Sequence, residues 1–400
     1  MNKLLLVLLS ITISSHTASA QFSKIWSFKT EGQIFASVIT DDTNAYAGSA
    51  DGDFYALDKN NGKLQWKQTL GGSKFSTASL HKQNLFVGSN LGKLYSLSTK
   101  TGDINWEFAS KGEQDKDIWD YYLSQPSINK NTIYWGSGDS CLYAIDALSG
   151  KELWHFRSKG IIHANPLIAE GIIYISGFDG HLYALNAEDG TLIWKFKTLG
   201  AQYFPHGAIP KAPILHNNIL YFGTRDYNLY ALNAETGQCL WNYREPHGWI
   251  IASPLFYKHH LYFGLSDGHK MICMNAQSGI IKWEHAINMR VFGEAIIHKG
   301  ALVFGSHNGK LYALNPDNGE LISEFSTEGS KANYHKIFDA KGNFQPGFTL
   351  YGADYEASEK KILEMGSILS TPHVDGNIIY FGSADGHIYA IELKILKSIE

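Results

Sequence analysis

Three stretches of this 400-residue chain hold most of its chemically capable side chains. They read KGEQDKDIWDYYLSQP (111–126), LGAQYFPHGAIPKAP (199–213) and EGSKANYHKIFDAKGNFQPGFTLYGADYEASEKKILEMG (328–366). Trp119, Tyr121, Tyr122, Tyr203, Phe204, His206, Tyr334, His335, Tyr351 and Tyr355 gather there, and Trp249 stands in a fourth short stretch. Aromatic rings mixed with His and Lys suit contact with a polypeptide or a carbohydrate. The plainer reading is that they cover the small cores of their own loops. A second group is His163, Lys211 and Glu294, which stand out among small, neutral or apolar neighbours at equivalent places. As a structural set they would form an ion pair beside a satisfied histidine. As a functional set they offer acid–base or metal chemistry. No two histidines have a spacing that favours metal, so no metal site is expected. Cys141, Cys239 and Cys273 are odd in number and lie outside any C-x-x-C or Cys/His spacing, and small buried thiols are the expected reading. A Cys239–Cys273 disulfide stays open.

The frame that positions these groups is a repeat. A tyrosine in a "LYAL" element recurs at Tyr55, Tyr95, Tyr143, Tyr183, Tyr230, Tyr312 and Tyr389, with Ile272 as the substitute. A turn glycine follows at Gly62, Gly102, Gly150, Gly190, Gly237, Gly279 and Gly319. A tryptophan comes next at Trp66, Trp106, Trp154, Trp194, Trp241 and Trp283, with Ser323 in the seventh place. The eighth unit, 365–393, lacks the turn and the tryptophan. IWSFKT (25–30) has the form of the segment around Trp194, which makes Trp26 the eighth member of the set. A chain that opens with the last strand of a unit and closes with its first three seals a ring and leaves no free sheet edge. Alternating apolar and polar residues with Asp-Gly and Asn-Gly hairpin turns make each unit four short strands. The fold expected is all-β, an eight-bladed β-propeller of four-stranded blades over 22–394, with an inserted loop at about 329–363. The periodic tryptophans then read as packing between blades.

Spacing shows which face is elaborated. From the glycine of the "GS" element to the tryptophan of the same blade is 18 residues in most units. From tryptophan, or from Ser323 in its place, to the next such glycine is usually 22 or 23, but grows to 30, 29 and 59 at the three special stretches. The additions sit between the outermost strand of one blade and the innermost strand of the next, on the face of the Asp-Gly hairpins.

Residues 1–20 have Lys3, an apolar run from Leu4 to Ile13 and Ala18-Ser19-Ala20, the layout of a secretory signal cleaved before Gln21. No other segment is long and apolar enough to cross a membrane. The expectation is a monomeric periplasmic or secreted protein. The net charge of −4 gives no ground for a nucleic-acid surface.

The unit typified by NAEDGTLIW (186–194) and NAETGQCLW (233–241), preceded by the Asp-Gly hairpin and "YAL", resembles the pyrroloquinoline-quinone-type propeller repeat over nearly the whole chain. The resemblance implies one of two functions. One branch holds quinoprotein dehydrogenases, which use pyrroloquinoline quinone with calcium or a lanthanide, adjacent cysteines, metal-ligating Glu, Asn and Asp, and an Asp base. This chain has no adjacent cysteines, so no cofactor is expected. The other branch resembles the barrel-assembly-machinery propeller lipoprotein, whose lipid-bearing cysteine is missing here. The expectation is a non-enzymatic binding or scaffold propeller with an envelope or secreted protein, or a carbohydrate, as partner. The alternative is an enzyme, either a reduced quinoprotein or a polysaccharide-active propeller using His and Tyr of the loop-rich face.

Overall fold

A computed structural model of the protein describes residues 19–396, with side chains from 20 to 394. The expected signal segment lies almost wholly outside the described residues. Eight four-stranded antiparallel sheets follow one another along the chain. In the last, the outer strand Ser19–Lys29 pairs with His387–Leu396, with Phe22 opposite Leu393, Trp26 opposite Ala390 and Lys29 opposite His387. The two ends of the chain therefore complete one blade and close the ring.

Burial follows strand position. The second and third strands of each blade are almost fully buried, as in Ile172–Ser176 and His181–Asn186. The fourth alternates, as in Leu192–Lys197, so its tryptophan turns inward together with the residue two places on, here Phe196. Each indole of Trp26, Trp66, Trp106, Trp154, Trp194, Trp241 and Trp283 lies on the turn glycine of the next blade. A Cβ on Gly62 would stand 2.7 Å from Trp26, and one on Gly102 would stand 2.5 Å from Trp66. Both glycines also have positive φ, which L side chains disfavour. The indole N–H of Trp26 donates to Lys59 O (2.9 Å) and that of Trp66 to Thr99 O (3.0 Å). Ser323 breaks the pattern for a physical reason. The eighth blade is made from both chain ends and has no turn for an eighth indole to cover. The Ser323 hydroxyl instead accepts from the backbone N–H of Phe22 (3.2 Å).

Two further sets of bonds explain the other periodic residues. In five blades the recurrent tyrosine donates to the hairpin aspartate of its own blade, as Tyr55 to Asp51 (2.8 Å) and Tyr389 to Asp385 (2.8 Å). Around the central channel, the backbone N–H of one innermost strand donates to a side chain of the next. Such bonds join Ser37 to Thr77 (3.0 Å), Gln125 to Asn165 (2.8 Å), Glu294 to Thr371 (3.3 Å) and Thr371 to Ser37 (2.9 Å).

The 329–363 insertion is not a plain loop. It folds as two helices, α1 (Glu328–Ile337) and α2 (Tyr355–Glu364). Thr327 caps α1 by accepting from Ser330 N (3.1 Å). Tyr334, Ile337 and Phe338 recur at helical spacing and pack with Met289, Ile362, Met365 and Phe344 in a satellite core. The three thiols are free, with Cys141 and Cys273 buried, so Cys239 and Cys273 are not bridged. Among the described residues no helix is long and apolar enough to cross a membrane.

Candidate binding face and central channel

The three special stretches meet over one mouth of the channel. Residues arrange there in three layers: an aromatic cleft, an apolar plug, and the channel itself.

The outer layer is built from Trp119, Phe204, Trp249 and Tyr351. Trp119 lies edge-on to Trp249 (5.9 Å between centroids) and to Tyr351 (6.3 Å), and Phe204 meets Trp249 at 4.8 Å. With Tyr203 and Tyr227 they line a cleft of about 680 Å³. Tyr203 is 76% exposed, which is unusual for so large a ring. Asp267 lies at the edge and bonds to the Tyr351 hydroxyl. Tyr355, 5.9 Å from Trp119, lines a smaller hollow alongside.

The plug beneath consists of Tyr121, Tyr122, Ile251, Phe292 and Leu369, with Phe35 against them. Tyr121 and Tyr122 are buried here and are not part of the open surface. The Tyr122 hydroxyl donates to Leu369 O (2.9 Å), which ties the first insertion to the eighth blade.

One buried ion pair and two part-exposed ones hold the two layers in place. Glu359 of α2 accepts from Tyr121 OH (2.5 Å), Trp119 Nε1 (3.2 Å) and Arg290 Nη1 (2.7 Å). Arg290 is 1% exposed, and its second nitrogen reaches Tyr351 (3.3 Å). Burial would raise the pKa of Glu359, but Arg290 and then His307 outweigh it and hold the carboxyl below its ordinary range. Arg225 pairs with Asp117 and lies 4.7 Å over Trp249. Lys74 bonds to Asp115 (2.6 Å) and to Asp120 O (2.6 Å).

His163 does not face the channel. It is 1% exposed and clamped by Glu113 on Nε2 (2.7 Å) and Asp120 on Nδ1 (3.0 Å). Burial alone would lower its pKa; Asp120 and Glu113 outweigh that and raise it to about 9. The ring is a doubly bonded imidazolium that staples the 111–126 insertion.

Lys211 and Glu294 do line the channel, but they are not an ion pair with each other. His206 and His335 are exposed and apart from the cleft; His206 contributes its carbonyl to Lys197 Nζ (2.6 Å). Tyr334 belongs to the insertion's own core, and its hydroxyl accepts from Asn288 (2.6 Å). Trp135 is an inter-blade residue under Gly88. Among the described residues no group of three or more His, Cys, Asp or Glu is placed to hold a metal ion.

Sequence reading missed Arg225, Arg290 and Glu359. A signal existed: four of the 34 basic residues are arginine. Two of those four are buried at this face, where the fixed fork of guanidinium donors suits an ion pair removed from water.

Known structures share the architecture. BamB from Moraxella catarrhalis superposes with a TM-score of 0.70 at 16% identity, covering 93% of this chain and 99% of that one. Quinohemoprotein alcohol dehydrogenase ADHIIG from Pseudomonas putida HK5 gives 0.67 at 14% identity, covering 95% and 77%. The computationally designed Ika8 protein gives 0.66 at 16% identity, covering 92% and 99%. At such identities the likeness shows the fold alone. No curated protein sequence matches significantly. The family described as outer membrane protein assembly factor BamB matches at residues 22–120, 114–244 and 197–395. These stretches together span nearly all the described residues, and the chain belongs to that family.

Proposed function

We propose that this protein is a non-enzymatic scaffold of the cell envelope that holds another envelope protein in the aromatic cleft of its loop-rich face. The observation that carries the reading is the open cleft around Trp119, Phe204, Trp249 and Tyr351, braced from below by Arg225, Arg290 and Glu359. Large rings held rigid by ion pairs lose little freedom when a partner covers them, and such rings dominate protein interfaces. Family membership supports a role in outer-membrane protein assembly.

The dehydrogenase reading has a structural neighbour but poor residues. A flat quinone beside a metal ion needs an open slot and a cluster of ligands. Here Tyr121, Tyr122, Phe292 and Leu369 fill the channel under the loop-rich face. Adjacent cysteines are absent from the sequence. The residues do not fit that cofactor.

The test places a photocrosslinking side chain at position 203, and at Leu153 on an exposed outer strand as the control. The expected result is a discrete adduct with an envelope protein from position 203 and none from 153. No adduct, or the same adduct from both, overturns the proposal. Tyr203→Ser should leave stability within about 0.5 kcal/mol of wild type and reduce capture of the same partner about tenfold.

A further inference from the structure

The channel below the plug holds a second cavity, whose lining shares no residue with the cleft. A cavity of about 200 Å³ is lined by Ser37, Thr77, Gln125, Lys211, Glu294 and Thr371. Its upper end is shut by Tyr122, whose ring face lies 3.5 Å from Lys211 Nζ. Its lower end is open: it shares Ile39, Gln125, Asn165 and His373 with a funnel of about 580 Å³ on the opposite face of the propeller. The funnel is partly apolar, with Leu80, Ile128 and Ile168 on its wall.

The two charges in this cavity lack partners. Among the described residues, Lys211 has the face of Tyr122 and no hydrogen-bonded or ion-paired carboxylate; the charge of Glu294 acts on it from a distance. The hydroxyl of Tyr122 is no help, since it is spent on Leu369 O. Glu294 engages Thr371 through its backbone N–H, not its carboxylate. Burial lowers the pKa of Lys211, and Glu294 offsets part of that. Both side chains are part-buried, and a charge confined in a narrow cavity without a partner is at a disadvantage to one in open water. A propeller does not require them, because the other blades place small or neutral groups at the equivalent positions: Ala36, Ser76, Ser124, Ala164, Ala252 and Ser370 answer to Lys211.

The pair also selects what it can hold. A simple anion drawn to Lys211 is opposed by Glu294, and a simple cation drawn to Glu294 is opposed by Lys211. A solute with both charges satisfies both ends and enters a site of zero net charge.

We propose that the channel binds a compact zwitterion, a free α-amino acid, with its carboxylate on Lys211, its ammonium on Glu294 and its side chain toward the apolar funnel.

The test is isothermal titration of the mature chain with glycine, L-leucine and L-phenylalanine. N-acetyl-L-leucine and L-leucine amide serve as the anion-only and cation-only probes. L-Leucine should bind, and each blocked analogue should bind at least about tenfold more weakly, the equivalent of about 1.4 kcal/mol. Lys211→Met and Glu294→Gln should each remove L-leucine binding while leaving the circular dichroism of the fold intact. Tyr203→Ser, in the cleft, should leave it unchanged, so failure here and failure of the scaffold reading are separable. Absence of heat with every free amino acid overturns the proposal. So does N-acetyl-L-leucine binding as tightly as L-leucine, which would make this a simple anion site. If either variant fails to fold, the comparison of free with blocked probes on the wild-type chain decides alone.

Discussion

His163 shows what a single residue does for the loop-rich face. Its ordinary pKa is near 6.5, and in the fold it is raised to about 9. The folded state thus favours the proton, so this stabilisation is complete below about pH 6.5 and is lost as pH rises through about 9. Asp120 works in the opposite sense. Burial pushes its carboxyl up, but His163 outweighs that and holds it below 3.8, so its contribution is present above that value and lost as pH falls further. The clamp is strongest between these limits. His163→Gln keeps some hydrogen bonding but removes the charge. It should cost roughly 3 kcal/mol at pH 6, from the size of the pKa shift, and much less at pH 10, where the wild type has lost the proton too. Urea unfolding of both proteins at the two pH values checks this, and an equal cost at both would refute the imidazolium. The sequence marked His163, Lys211 and Glu294 as departures from a bland position. It did not show that His163 turns away from the channel, because Glu113 and Asp120 come from an insertion with no counterpart in the repeat.

At the scale of elements, the insertion between the seventh and eighth blades is tied to the propeller by one carboxylate. Glu359 on α2 serves Arg290, Tyr121 and Trp119 together. Removing one partner of a buried ion pair costs about 3–5 kcal/mol, because the other is left charged and uncompensated. The satellite core of α1 and α2 is small, so Glu359→Ala should release the insertion locally while the blades persist. Limited proteolysis should then cut within 338–354 at a rate at least about tenfold faster than in wild type, with the overall melting transition still cooperative. Unchanged protection would show that the satellite core alone holds the insertion. Acid should act in the same direction, since the stabilisation from a carboxyl held below 4.5 is present above that value and lost as pH falls. The length and aromatic content of this segment are legible in the sequence, but its helices are masked by the surrounding strand pattern. Tyr334, Ile337 and Phe338 have helical spacing behind the Thr327 cap, and a strong repeat elsewhere made strands the default. Glu359 was invisible for a different reason: a lone glutamate on a helix gives no sign that it will be buried against an arginine 69 residues away.

For the whole molecule, the ring was readable because seven of the eight blades solve the same packing problem in the same way. An indole must cover the turn of the next blade, and a side chain on that turn would collide with it, so Trp and Gly recur as a pair. The pair also locates the seam, at Ser323, where no turn exists to be covered. Closure there depends on the strand Ser19–Lys29, which buries Phe22 and Trp26 and completes the hydrogen bonding of His387–Leu396. Deleting residues 21–30 removes those two rings, opens a long unpaired strand edge and takes away the indole that covers Gly62. The loss should amount to several kcal/mol, a large share of the roughly 5–15 kcal/mol that holds a typical domain. The expected outcome is a much lower melting temperature, together with concentration-dependent self-association through the exposed edge. A synthetic peptide of residues 19–30 should bind the truncated chain and restore most of the lost stability, because the missing strand makes its contacts by pairing and burial and needs no covalent link to make them. A truncated chain that melts as wild type, or that gains nothing from the peptide at saturating concentration, would mean that the ring is held by its other seven seams and that the split blade does not close it.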